Sequence, residues 1–161
     1  MISVEVLLKH MAWSNQEIYK EVQKLGKEVL DYYVVDPEWT VRRILVHIVG
    51  AGHLYGQRLD REDFSPFKIE NDDDNVLIDQ LLVELERIDQ GLMKYANVED
   101  GDLTYMTSQG ERTSKISTII SQMIFHAAEH RAQIVAALDK HNIREINLDH
   151  YSVFGYIESI K

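Results

Sequence analysis

The sequence contains no cysteine among its 161 residues. Disulfide bonds, thiolate metal ligands and a cysteine nucleophile supplied by the protein itself are therefore excluded. A metal ion bound to this chain would have to use imidazole, carboxylate, amide or water ligands.

Long apolar runs and an excess of basic charge are also missing. No run approaches the roughly 20 apolar residues that a membrane-spanning helix needs, and no signal-peptide pattern is visible. We therefore expect a soluble cytoplasmic protein that has no membrane partner. The formal net charge is −10, whereas binding to nucleic acid requires a basic surface. We therefore expect no nucleic-acid partner.

The pattern that is present is helical periodicity. Four segments repeat apolar residues at the spacing of an amphipathic helix, so they predict an all-α fold in which the helices bury one common core. The chain length fits a single domain over residues 1–161. The four segments are Val4–Leu25, Thr40–Arg61, Asn75–Ala96 and Ser114–Asp139.

The connections between these segments, near residues 26–39, 62–74 and 97–113, are long for neighbouring antiparallel helices, so crossover connections are plausible. The last connection alternates in polarity around a glycine over Leu103–Arg112, which indicates a small β-hairpin or an ordered loop. The stretch Asp149–Ile160 reads as a short C-terminal helix that packs on the bundle.

Two histidines, His126 and His130, lie four residues apart in the last long helix. At about 100° per residue, this separation places both side chains on nearly the same helical face. That face lies on or beside the apolar stripe, so both imidazoles should point into the protein. Two imidazoles on one helical turn supply a pair of nitrogen ligands for a divalent metal ion.

A third histidine, His47, lies in the apolar stripe of the second helix with Ile44, Ala51 and Leu54. A neutral imidazole without a partner is unfavourable there. Helices that pack side by side are about 8–10 Å apart, a gap that inward-pointing imidazoles can bridge through a metal ion. The alternative is that these histidines are hydrogen-bonded core residues. The remaining histidines fit a metal site less well: His10, His53, His141 and His150.

Two amides are candidates for orienting reacting groups at such a site. Asn15 falls within the apolar stripe of the first helix, so it should face the core and need a partner, which could be a structural hydrogen bond or a ligand. Gln133 lies nearly in line with His126 on the last long helix and could hydrogen-bond at the site.

A second apolar strip of the first helix, formed by Ile2, Val6 and Trp13, points away from the core. It is either covered by a loop or used in a homodimer.

Three parts of the sequence together resemble the DinB-like (YfiT-like) metalloenzyme family. They are the segment Leu45–Val49 around His47, the segment His126–Ile134, and Trp13–Asn15 in the first helix. The resemblance implies a four-helix bundle in up-down-down-up order, with His47, His126 and His130 as ligands of a divalent metal ion and often a homodimer. The resemblance is less specific about function than about fold. Some relatives are transferases or isomerases that use bacillithiol, mycothiol or glutathione, and many have no assigned activity.

Three neutral imidazoles leave the charge of the ion undiminished and at least one coordination position open, which is typical of catalytic sites. Such an ion can lower the pKa of a bound water or bind a thiol as thiolate. Zn²⁺ and Ni²⁺ suit these ligands best, and Fe²⁺ is an alternative. Together with the thiol-using relatives that the resemblance implies, this leads us to expect a thiol S-transferase that activates a low-molecular-weight thiol against an electrophile bound in the adjacent bundle pocket. The alternatives are a non-catalytic metal- or ligand-binding stress protein and a metal-dependent hydrolase.

Overall fold

The computed structural model describes residues 4–60, 68–69 and 73–161. These residues are mostly helical, and they also form one two-stranded antiparallel sheet and three short 3-10 helices. The α-helices are α1 (Val4–Lys24), α2 (Val41–Leu59), α3 (Asp74–Leu92), α4 (Ile116–Lys140) and α5 (Val153–Ser159), and the strands are β1 (Asp102–Thr107) and β2 (Gly110–Lys115).

The four long helices share one core. Helix α1 packs against α3 and α4, and α2 packs against the same two helices. Each long helix therefore packs against two of the others, and this arrangement loosely fits a four-helix bundle. All four contribute side chains with essentially no exposed surface, among them Ile18, Leu45, Leu81 and Ile134. The predicted all-α character is confirmed apart from the small sheet, whereas the up-down-down-up order stays a prediction.

Local capping explains where α2 begins. The Thr40 hydroxyl accepts a hydrogen bond from the backbone N–H of Arg43 at 3.2 Å, so Thr40 is the N-cap and not the first helical residue. The helix ends at Leu59, before the predicted end at Arg61, because the backbone of Asp60 is extended; Arg61 itself lies outside the described residues. Helix α3 is followed directly by a 3-10 turn over Met93–Tyr95, which accounts for the longer segment that periodicity predicts.

The predicted hairpin is present, and it shortens α4 at its start. Ser114 pairs with Leu103 in the sheet, and its hydroxyl lies 3.0 Å from the Tyr105 hydroxyl. The prediction that the helix begins at Ser114 is therefore wrong, because sheet pairing continues to Lys115. Gly110, with φ of 104°, begins β2 in the left-handed region that glycine adopts without strain.

The C-terminal helix is split, contrary to the single helix predicted over Asp149–Ile160. A 3-10 helix covers Leu148–Tyr151, and α5 begins only after Ser152. The extended backbone of Ser152 interrupts the helix, and its hydroxyl caps α5 by accepting from the N–H of Gly155 at 3.2 Å.

This C-terminal segment covers part of the second apolar strip of α1. The Trp13 ring lies 5.8 Å from the rings of both Tyr151 and Tyr156. Val6 remains 38% exposed, and Ile2 lies outside the described residues. The strip is therefore partly covered within the chain.

Among the described helices, none is both long enough and apolar enough to span a lipid bilayer.

The close approach of α5 to the preceding turn gives a stability test. A Cβ atom added at Gly155 would lie 2.2 Å from the His150 carbonyl oxygen. Gly155→Ala should therefore lower the free energy of unfolding by about 1–3 kcal/mol, because the backbone must shift. Gly50→Ala is the matched control: its Cβ would meet no atom within 4 Å, and we expect about 0.5–1 kcal/mol of stabilisation. Urea unfolding measures both, and equal stability of the two variants would contradict this packing.

Candidate metal centre

The three histidines predicted as metal ligands come together between α2 and α4. The Nε2 atom of His126 lies 3.1 Å from Nε2 of His47 and 3.1 Å from Nε2 of His130. One ligand nitrogen from each residue lies within 4.8 Å of the other two, so the group could hold a metal ion. His130 is buried, whereas His47 and His126 are half-buried. The cluster therefore lies near the surface of the domain.

The spacing of these nitrogens fits a metal ion. Two nitrogens that are each about 2.0–2.1 Å from one tetrahedral zinc ion are about 3.3–3.4 Å apart, close to the 3.1 Å separations observed. Neutral imidazoles cannot satisfy one another fully in such a triangle, because each ring has only one N–H group. The donor set and its spacing therefore suit a divalent ion.

Gln133 fixes the tautomer of His130. The side-chain Oε1 of Gln133 lies 2.9 Å from Trp39 Nε1 and 2.8 Å from His130 Nδ1. The indole N–H of Trp39 can only donate, so the amide atom between the two rings must be the oxygen. His130 Nδ1 must then donate to it as well, which leaves His130 Nε2 as a bare lone pair facing the other histidines.

The electrostatics of the cluster keep His126 neutral. Burial, followed by the neighbouring His130 and His47, lowers the pKa of His126 to about 4. The pKa of His47 is also lowered, first by burial, then by His130 and by Arg43. Because the neutral imidazole is the ligand form, protons compete little with a metal ion at His126 near neutral pH.

Asn15 is partnered inside the protein. It is 2% exposed, and its Oδ1 accepts a hydrogen bond from Nη1 of the buried Arg131 at 2.5 Å. Burial lowers the pKa of Arg131 to about 10, so this guanidinium remains charged at pH 7 and depends on its hydrogen bonds. Of the roles that sequence left open for Asn15, the structure supports the structural hydrogen bond.

The cavity beside the histidines is too small for the electrophile expected in the bundle. It measures about 10 Å³ and is lined in part by Asn15, Tyr55, Asp89 and His126. A volume of that size accommodates about one water molecule. Leu54 is 48% exposed, contrary to its predicted place in the apolar stripe of α2.

Sequence reasoning missed two aromatic residues beside the cluster and one buried arginine. The Trp39 ring lies 5.1 Å from that of His47, and the Tyr55 ring lies 5.8 Å from that of His126 in an edge-to-face contact. The buried arginine is Arg131, and its position in the sequence could have identified it. It lies four residues after Ala127 and three before Ile134, so it falls within the apolar stripe of α4 just as Asn15 does in α1.

The Asn15–Arg131 hydrogen bond should stabilise the fold. Asn15→Leu removes the acceptor and leaves a buried guanidinium without it, so we expect the free energy of unfolding to fall by about 3 kcal/mol. Asn15→Asp is the control, because it retains an acceptor oxygen and should stay within about 1 kcal/mol of the wild type. Chemical denaturation measures both. A leucine variant as stable as the wild type would show that this bond contributes little.

Comparison with known proteins agrees with this geometry. A model of the DinB family matches residues 1–151, which is nearly the whole chain. Searches of curated proteins and of solved structures gave no match. The family match includes α1, α2, α3 and α4 and all three histidines of the cluster. The chain therefore belongs to the DinB family.

Proposed function

We propose that His47, His126 and His130 bind one divalent metal ion and that the protein is a metal-dependent thiol S-transferase. The convergence of three imidazoles carries the proposal. His126 Nε2 lies 3.1 Å from Nε2 of both His47 and His130, and one ligand nitrogen of each residue lies within 4.8 Å of the other two. Zn²⁺ and Ni²⁺ suit this donor set best, and Fe²⁺ is the alternative.

The residues of the proposed metal site have different roles. His130 is held in its ligand tautomer by Gln133, which is itself anchored by Trp39. His126 stays neutral at pH 7 because its pKa is about 4. Gln133 thus acts as a positioning residue and Asn15 as a support of the core beneath His126. Their expected part in orienting the reacting groups stays a prediction.

The proposed reaction needs a thiol nucleophile, which the chain itself does not contain. A bound divalent ion would favour the thiolate form of a small thiol near neutral pH. The sequence contains no cysteine, so the sulfur nucleophile would come from a low-molecular-weight thiol. The S–H proton would leave to solvent, the thiolate sulfur would bond to the electrophile, and the electrophile's leaving group would depart with the electron pair of the broken bond.

Two further features belong to this proposal. We propose that the protein acts in the cytoplasm as a homodimer, and the 38% exposure of Val6 on the partly covered strip of α1 supports such an interface.

Metal content tests the site. We expect about one ion per chain in the wild type by elemental analysis, and loss of most of it in His126→Ala, because two imidazoles hold a divalent ion weakly. His150→Ala is the matched control, since His150 is exposed and outside the cluster. Gln133→Leu should keep the ligands but weaken binding about 10–100-fold in a chelator competition. Full metal content in His126→Ala would refute the site.

Turnover tests the activity separately. Metal-loaded wild-type protein should accelerate conjugation of bacillithiol, mycothiol or glutathione to an alkyl or aryl halide, and His126→Ala should lose at least about 100-fold of that rate. His150→Ala should match the wild type. If the protein binds metal but accelerates no conjugation, the transferase proposal fails. Ester hydrolysis without thiol would then identify a hydrolase, and its absence would leave a non-catalytic binding protein.

A further inference from the structure

A groove separate from the histidine cluster lies where α1, α3 and α5 meet. Its volume is about 450 Å³, within the range of small-molecule sites. Trp13 and Met93 give its wall an apolar character, together with the buried Tyr156. The Trp13 and Tyr156 rings both line the groove, 5.8 Å apart and inclined at 48°.

Two charged groups along this groove, Lys9 and Glu86, have partners on their own helices. Lys9 forms an ion pair with Glu5 at 2.5 Å, and the Glu86 carboxylate accepts a hydrogen bond from Gln90 at 3.2 Å. The half-buried Asp89 has neither kind of partner among the described residues. Burial raises the pKa of Asp89 to about 7, and the nearby Glu86 adds to the effect.

An unpaired, half-buried carboxylate destabilises a fold, and such groups are concentrated at binding sites. A cationic ligand would remove this cost, because its positive charge would favour the ionised form of Asp89. The aromatic rings of Trp13 and Tyr156 point to the same kind of ligand, since their faces attract cations. The net charge of −10 further favours the approach of a cation.

We propose that this groove binds a small organic ammonium ion. The ammonium group pairs with the Asp89 carboxylate, and the apolar body of the ligand packs against Trp13, Met93 and Tyr156. Lys9 does not fill this place, because its ammonium group is engaged with Glu5. The site shares none of its lining residues with the His47–His126–His130 cluster, so it does not depend on the proposed transferase activity.

Calorimetry with a matched pair of probes tests the site. Phenethylammonium and phenethyl alcohol have nearly the same shape, but only the first is charged at pH 8. The wild type should bind phenethylammonium at least about tenfold more tightly than the alcohol. Asp89→Asn preserves side-chain shape and should remove this preference. Glu86→Gln is the control on the same helix and should change the affinity by less than about threefold, because Glu86 already has a partner.

Three results would overturn the proposal. The first is a wild type that binds both probes equally or binds neither at millimolar concentration. The second is an Asp89→Asn variant with circular dichroism and unfolding like the wild type that keeps the full preference for the cation. The third is sedimentation showing a wild-type dimer that Asp89→Asn dissociates, which would assign the groove to a second copy of the chain.

Discussion

The need to satisfy three converging imidazoles constrains the rest of this structure. His47, His126 and His130 place their Nε2 atoms within reach of one another between α2 and α4. With one N–H group per neutral ring, and with that of His130 directed at Gln133, the cluster has too few donors for its lone pairs. Protonation does not resolve this, because burial and mutual repulsion lower the pKa of His126 to about 4. A divalent cation would satisfy all three nitrogens at once.

Helix α4 carries most of the residues on which this arrangement depends. Two of the three histidines lie on it, and Gln133 reaches back one turn to orient His130 while also binding Trp39 from the loop before α2. Arg131 points to the other side, where it binds Asn15 of α1. Helix α4 is therefore hydrogen-bonded both to the loop before α2 and to α1. These bonds hold the imidazole rings in place more firmly than apolar packing alone.

The helices and the histidines could be predicted from the sequence because both depend on local spacing. Periodicity located the four long helices within a few residues, and the same 3.6-residue repeat placed His126 and His130 on one face. Predictions failed where the secondary structure depends on a strand partner distant in sequence or on a local side-chain cap. Ser114 is a strand residue because it pairs with Leu103, and Ser152 divides the C-terminal helix because its hydroxyl caps α5. Trp39, which anchors Gln133, and Arg131, which binds Asn15, lie on other elements than their partners, so these roles required the fold.

Polar groups inside this protein are of two kinds. Some are paired within the chain and stabilise the fold, and others lack such a partner and mark the candidate binding sites. Arg131 with Asn15, and His53 with Glu84, are paired within the chain, so they contribute to one packed core. The histidine Nε2 atoms and the Asp89 carboxylate are not satisfied in this way. His126 and Asp89 line the same small cavity, and Asp89 also lines the aromatic groove. Because a partly buried carboxylate or imidazole without a full set of partners costs stability, a ligand at each place would remove that cost.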